Sequence, residues 1–148
     1  MIHLESLEDA VVLAKNIGFN FKVHDDMDVS IEEVGYSGFI IVPRAEALER
    51  LAALMHNYSA EEFVILARTE APPLYEFDLP PGLDPQIRQL CECRYGVIHG
   101  ESKLLELIEI LLERGGSVVN DIYFFPPGGG FLGHVSHHDE VLIYVMKA

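Results

Sequence analysis

Pro126–Ala148 reads PPGGGFLGHVSHHDEVLIYVMKA, and the fold turns on where this stretch puts its strands. EVLIYVM (140–146) is a strand, since it is short, apolar and rich in β-branched residues. SVVNDIYFF (117–125), just before the two prolines, reads the same way. No helical pattern separates the two, and a parallel pair would need a long crossover, so the later strand is expected to fold back on the earlier one. Their connection, Pro126–Asp139, is about 14 residues long, far beyond an ordinary hairpin loop. The expectation is a C-terminal hairpin closed by a long loop.

Upstream, helices and strands interleave. Ser6 is placed to cap a helix over Leu7–Ile17 that Gly18 stops. FNFKV (19–23) alternates as a half-buried strand does, and Val29–Val34 reads as a short one. GFIIV (38–42) reads as a buried strand, and Pro43 suits the first turn of the helix that follows. That helix shows Ala47, Leu48, Leu51, Leu54 and Met55 on one stripe. Phe63–Ala67 is read as a strand, although Ser59 and Glu62 have capping-box spacing. Asp84 and Pro85 open a helix to about Arg94. The strongest helical pattern is ESKLLELIEILLERGG (101–116), which buries Leu104, Leu107, Ile108, Leu111 and Leu112. Together these give a single α+β domain over residues 1–148, with a mixed or mainly antiparallel sheet and about four helices.

Composition narrows the function. The formal net charge is −14, from 24 acidic against 10 basic residues. Such a surface repels phosphate backbones and attracts cationic partners, so no nucleic-acid partner is expected. No apolar run approaches the roughly 18 residues that span a bilayer, so no membrane partner is expected. MIHLESLEDA carries neither a basic n-region nor a long apolar h-region, and a cytoplasmic location is expected. A hydrophobic fraction of 49% suits a homo-oligomer. Cys91 and Cys93 lack zinc-site spacing and read as small buried hydrophobes. There is no nucleophile elbow, no Walker A loop and no dinucleotide fingerprint.

Two candidate sites remain. Gly128, Gly129 and Gly130 let a backbone turn sharply or approach a ligand closely. After them come His134, His137, His138, Asp139 and Glu140, which have the donor types for a divalent transition metal such as Zn, Fe, Ni or Mn. His24 and His99 are further imidazoles that can join such a site, while Asp25, Asp26 and Asp28 read as a solvated acidic turn. The second candidate is the face formed by Glu106, Glu109 and Glu113 on the 101–116 helix, a docking surface for a basic protein.

GGGFLGHVSHHDEVLIYVM resembles the first cupin motif in its order of glycine, histidine, glutamate and apolar strand. The resemblance would make His137 or His138, with Glu140, the ligands. It departs from that motif in lacking an H-x-H pair, and the helix content is not that of a jelly roll. The chain is not assigned to the family. The expected function is a small acidic binding domain, inhibitor- or immunity-like in composition, that takes a basic protein or small ligand through its Gly/His loop. The alternative is a metal-dependent enzyme or metal sensor built on the His134–Glu140 segment.

Overall fold

The computed structural model describes residues 2–23, 29–32, 36–58, 60–67, 85, 95–114, 122–135 and 140–146. Helix α1 (Leu7–Asn16) begins where the Ser6 hydroxyl accepts the Asp9 N–H at 3.3 Å. The Asp9 carboxylate in turn accepts the Glu5 N–H at 2.8 Å. These bonds occupy donors that the helical ladder cannot reach. At the other end the Gly18 N–H donates to the Lys15 carbonyl at 3.0 Å, and the Phe19 N–H to the Ala14 carbonyl at 2.9 Å. This Schellman arrangement needs positive φ at one residue, and Gly18 supplies it at 97°.

Strands β1 (Asn20–Val23) and β2 (Val29–Glu32) follow α1 and pair antiparallel. Then come β3 (Tyr36–Pro43), α2 (Arg44–Tyr58), β4 (Glu62–Ala67), β5 (Tyr95–His99) and α3 (Glu101–Arg114). The chain closes with β6 (Ile122–Phe125), β7 (Phe131–Val135) and β8 (Glu140–Met146). Strands β3 to β8 form one six-stranded sheet in the order β3-β8-β7-β6-β4-β5, with every described pairing antiparallel. The α+β class is as expected, and among the described residues there are three helices. The fourth expected helix, Asp84–Arg94, lies outside the described residues apart from Pro85.

The expected long-loop hairpin is corrected. The segment between the two anticipated strands contains a strand of its own, β7, which pairs with β6 on one side and β8 on the other. Strands β6 and β8 are therefore not neighbours. Gly133 disguised β7, because glycine lowers strand propensity. Gly133 is nonetheless required in the strand. It lies opposite Phe124 in the ladder, and a Cβ there would come within 2.1 Å of the Phe124 Cζ. The missing side chain is the space that the Phe124 ring occupies.

Alternate residues of the central strands feed two apolar layers. Phe63, Ile65, Phe124, Phe131, Val141 and Ile143 pack with α2 and α3. Helix α2 contributes Ala47, Leu51 and Met55, and α3 contributes Leu104, Leu107, Ile108, Ile110 and Leu112. Each buried Leu or Ile stabilises the fold by roughly 1.5–3 kcal/mol. On the opposite face Val64, Leu66, Tyr123, Phe125 and Leu132 pack against Leu7, Ala10 and Ala14 of α1 and against Phe19 and Phe21. Phe21 meets Tyr123 edge-on, with ring centroids 4.9 Å apart.

Candidate functional site

A group of polar residues lies at one end of the sheet. Strand β4 starts there, β5 ends there, and β6 turns into β7 there. Glu62 and His99 stand directly opposite each other in the β4–β5 ladder. Their side chains approach to 3.8 Å between the His99 Nδ1 and a Glu62 carboxylate oxygen, with His99 45% and Glu62 25% exposed. The same Glu62 oxygen accepts the Ile2 N–H at 3.2 Å. The Tyr95 hydroxyl donates to the Glu5 carbonyl at 2.9 Å. These two bonds tie the N-terminal segment across β4 and β5.

Gly100 makes the corner between β5 and α3. Its φ of 96° lies in the left-handed region, and its N–H donates to the Glu61 carbonyl at 2.8 Å. The tight corner brings the first turn of α3 against the start of β4. The result is an open groove of about 870 Å³ lined by Glu61, Glu62, His99, Gly100, Glu101 and Ser102, with Ala60 at its edge. Three carboxylates and one imidazole in a shallow groove give it a negative field, suited to hydrogen-bond donors and cations. Ser102 also leads out of the groove. Glu106 and Glu109 follow it at i+4 and i+7 and are exposed, so one face of α3 carries acids from the groove outwards.

The glycine turn stands at this same end of the sheet. The Gly129 N–H donates to the Pro126 carbonyl at 3.0 Å. Gly129 and Gly130 have φ of 91° and 115°, and Gly128 has open space around it. The Tyr58 ring, at the end of α2, lies where a Gly130 Cβ would be, 2.4 Å from its Cε1. Gly130 is thus a seat for Tyr58.

The histidines lie elsewhere. His134 is on β7, opposite Tyr123, and the two rings stack with centroids 4.3 Å apart and planes 22° apart. Both its ring nitrogens are shielded from solvent. His137, His138 and Asp139 lie outside the described residues, and Glu140 opens β8. The β7 backbone rises about 13 Å from Phe131 to Val135, so the segment after it leaves from the far end of the sheet. The glycines and the later histidines therefore flank a strand and do not share one loop. Among the described residues no three His, Cys, Asp or Glu side chains are grouped to hold a metal ion. His24 and its neighbouring aspartates, Cys91 and Cys93 also lie outside the described residues. Glu113 lies in the last turn of α3.

The sequence singled out Glu106 and Glu109, but not Glu61, Glu62, Glu101 or Ser102. Glu62 resembled a helix cap, and no spacing links it to His99. The link is made by strand pairing, which a single sequence does not reveal. Compared with protein-family models, curated proteins and solved structures, the chain finds no match. No helix among the described residues is long and apolar enough to cross a membrane.

Proposed function

We propose that this protein is an acidic binding module that takes up a basic protein at the groove end of its sheet. The observation that supports this is the continuity of two acidic features. The carboxylates of Glu61, Glu62 and Glu101 line the groove, and Ser102 carries the same surface on to Glu106 and Glu109 along α3. From Ser102 to Glu109 the helix rises about 10 Å. That length exceeds what a small cation needs, and it suits a basic helix or loop that presents several lysines or arginines. The net charge of −14 adds long-range attraction to such a partner. The glycine turn and Tyr58, 41% exposed, border the same end of the sheet and offer an apolar rim.

The test uses a fluorescently labelled decalysine peptide and anisotropy. Saturable binding at low ionic strength is expected, falling as salt rises. The variant Glu61→Gln/Glu62→Gln/Glu101→Gln should bind severalfold more weakly, as should Glu106→Gln/Glu109→Gln. A control with the same loss of three charges, Glu5→Gln/Glu8→Gln/Glu49→Gln, should lose much less. If the control and the groove variant weaken equally, the attraction is only that of the overall charge and the proposal fails.

A further inference from the structure

We propose that residues 2–5 form a strap that holds the Glu62 wall of the groove and lets go when a partner's cation takes that carboxylate. The inference rests on the binding reading above and adds the regulation of the same site. Alternation along β4 sends Glu62 to the same side of the sheet as Val64 and Leu66, the side that packs against α1. The segment leading into α1 lies on that side and is tied down at both ends. At one end the Ile2 N–H donates to the Glu62 Oε2 at 3.2 Å. At the other the Glu5 carbonyl accepts the Tyr95 hydroxyl at 2.9 Å. Glu62 is matched to His99 and Leu66 to Tyr95, so the two anchors stand four ladder positions apart. Between them Leu4 packs, partly buried, on the apolar layer of that face.

The strap and a partner draw on one carboxylate. Glu62 is 25% exposed, whereas Glu61 beside it is open to solvent. The oxygen that the Ile2 amide holds is also the one 3.8 Å from the His99 Nδ1. An amide brings only a dipole to that oxygen. A lysine or arginine brings a full charge, which attracts the carboxylate more strongly at the same distance. A partner that engages Glu62 fully must uncover it, and so displaces Ile2. The segment is then left with Leu4 and the Tyr95 bond, and chain ends held by so little open at low cost. Coupling of this kind is reciprocal. A partner that loosens the strap is bound more tightly by a protein whose strap is already loose.

The experiment repeats the decalysine titration of the full chain at one low ionic strength, with two variants that leave every carboxylate and every groove residue in place. Tyr95→Phe removes the hydroxyl that holds Glu5. Leu4→Ser removes the apolar contact between the anchors. Each should bind the peptide about two- to tenfold more tightly than the wild type, the range that a single hydrogen bond spans. Leu13→Ser, which alters a partly buried leucine of the same layer on α1, should bind as the wild type does. In methyl-labelled wild-type protein the Leu4 resonances should move towards random-coil positions as the peptide saturates. If the wild type shows no saturable binding, or the groove variant binds no more weakly than the charge control, the binding reading fails and the strap falls with it. If that reading holds but Tyr95→Phe and Leu4→Ser match the wild type, or the Leu4 signals stay in place, the strap alone is overturned. Weaker binding by the two variants overturns it as well, since the segment would then be steadying Glu62 for the partner. Equal tightening by Leu13→Ser does the same, because loss of packing anywhere in the layer would suffice.

Discussion

Gly133→Ala tests whether β7 is where the structure puts it. The added methyl would lie 2.1 Å from the Cζ, 2.4 Å from the Cε2 and 2.6 Å from the Cε1 of Phe124. Phe124 has no exposed surface, so its ring cannot swing into solvent. It would have to push into Phe131, which it meets edge-on at 6.3 Å. Overpacking of this kind costs about 1–3 kcal/mol. Replacing glycine within a strand returns roughly 0.5–1 kcal/mol of backbone entropy. The net expected loss is about 1–2 kcal/mol, a fall in Tm of roughly 2–8 °C for a chain of this size. Thermal unfolding followed by circular dichroism measures it. Phe124→Leu shortens the obstructing side chain, so the double variant should lose less than the sum of the two single losses. If Gly133 were in a solvated loop, Gly133→Ala would be neutral or stabilising and the two changes would add. That result would refute the strand and the packing argument together.

Two further outcomes are expected. Gly130→Ala should cost about 1–2 kcal/mol even when Tyr58 is also changed to Ala, because removing the ring relieves the contact but not the positive φ; full rescue by Tyr58→Ala would show that the ring alone excludes a side chain. His134→Ala should lower stability by about 0.5–1.5 kcal/mol through loss of the stack on Tyr123, while Zn²⁺ uptake measured by equilibrium dialysis stays at the wild-type level; lost uptake would put His134 among metal ligands.

Local chemistry made much of this fold readable. Ser6, Asp9 and Gly18 mark both ends of α1 because capping is settled within a few residues. The apolar stripes of α2 and α3 point to their buried faces, and Ile110 is the buried position beyond the expected set on α3. Strand β4 proved to be a strand despite its capping-box spacing. What stayed hidden depended on distant partners. Gly133 looks like a loop residue until Phe124 is set opposite it. Tyr95–His99 is a strand because β4 lies alongside, and its own sequence, with Gly96, argues only weakly for one. The groove arises from that same pairing, so Glu62 and His99 gave no sign of each other. The acidic face of α3 was visible from helical spacing, but not the fact that it begins at a groove.

The sheet order has a consequence for how the chain is made. β3 is paired with β8, so Pro43 is matched to Glu140, about 100 residues later. Closing so long a loop is slow and entropically costly. On a ribosome, β3 and the α2 helix behind it emerge well before the strand that will hold them. Until translation reaches β8, the uncharged FIIV run lacks the one strand it pairs with among the described residues. The nascent chain therefore passes through a stage in which this uncharged strand is exposed without the neighbour it has in the finished sheet.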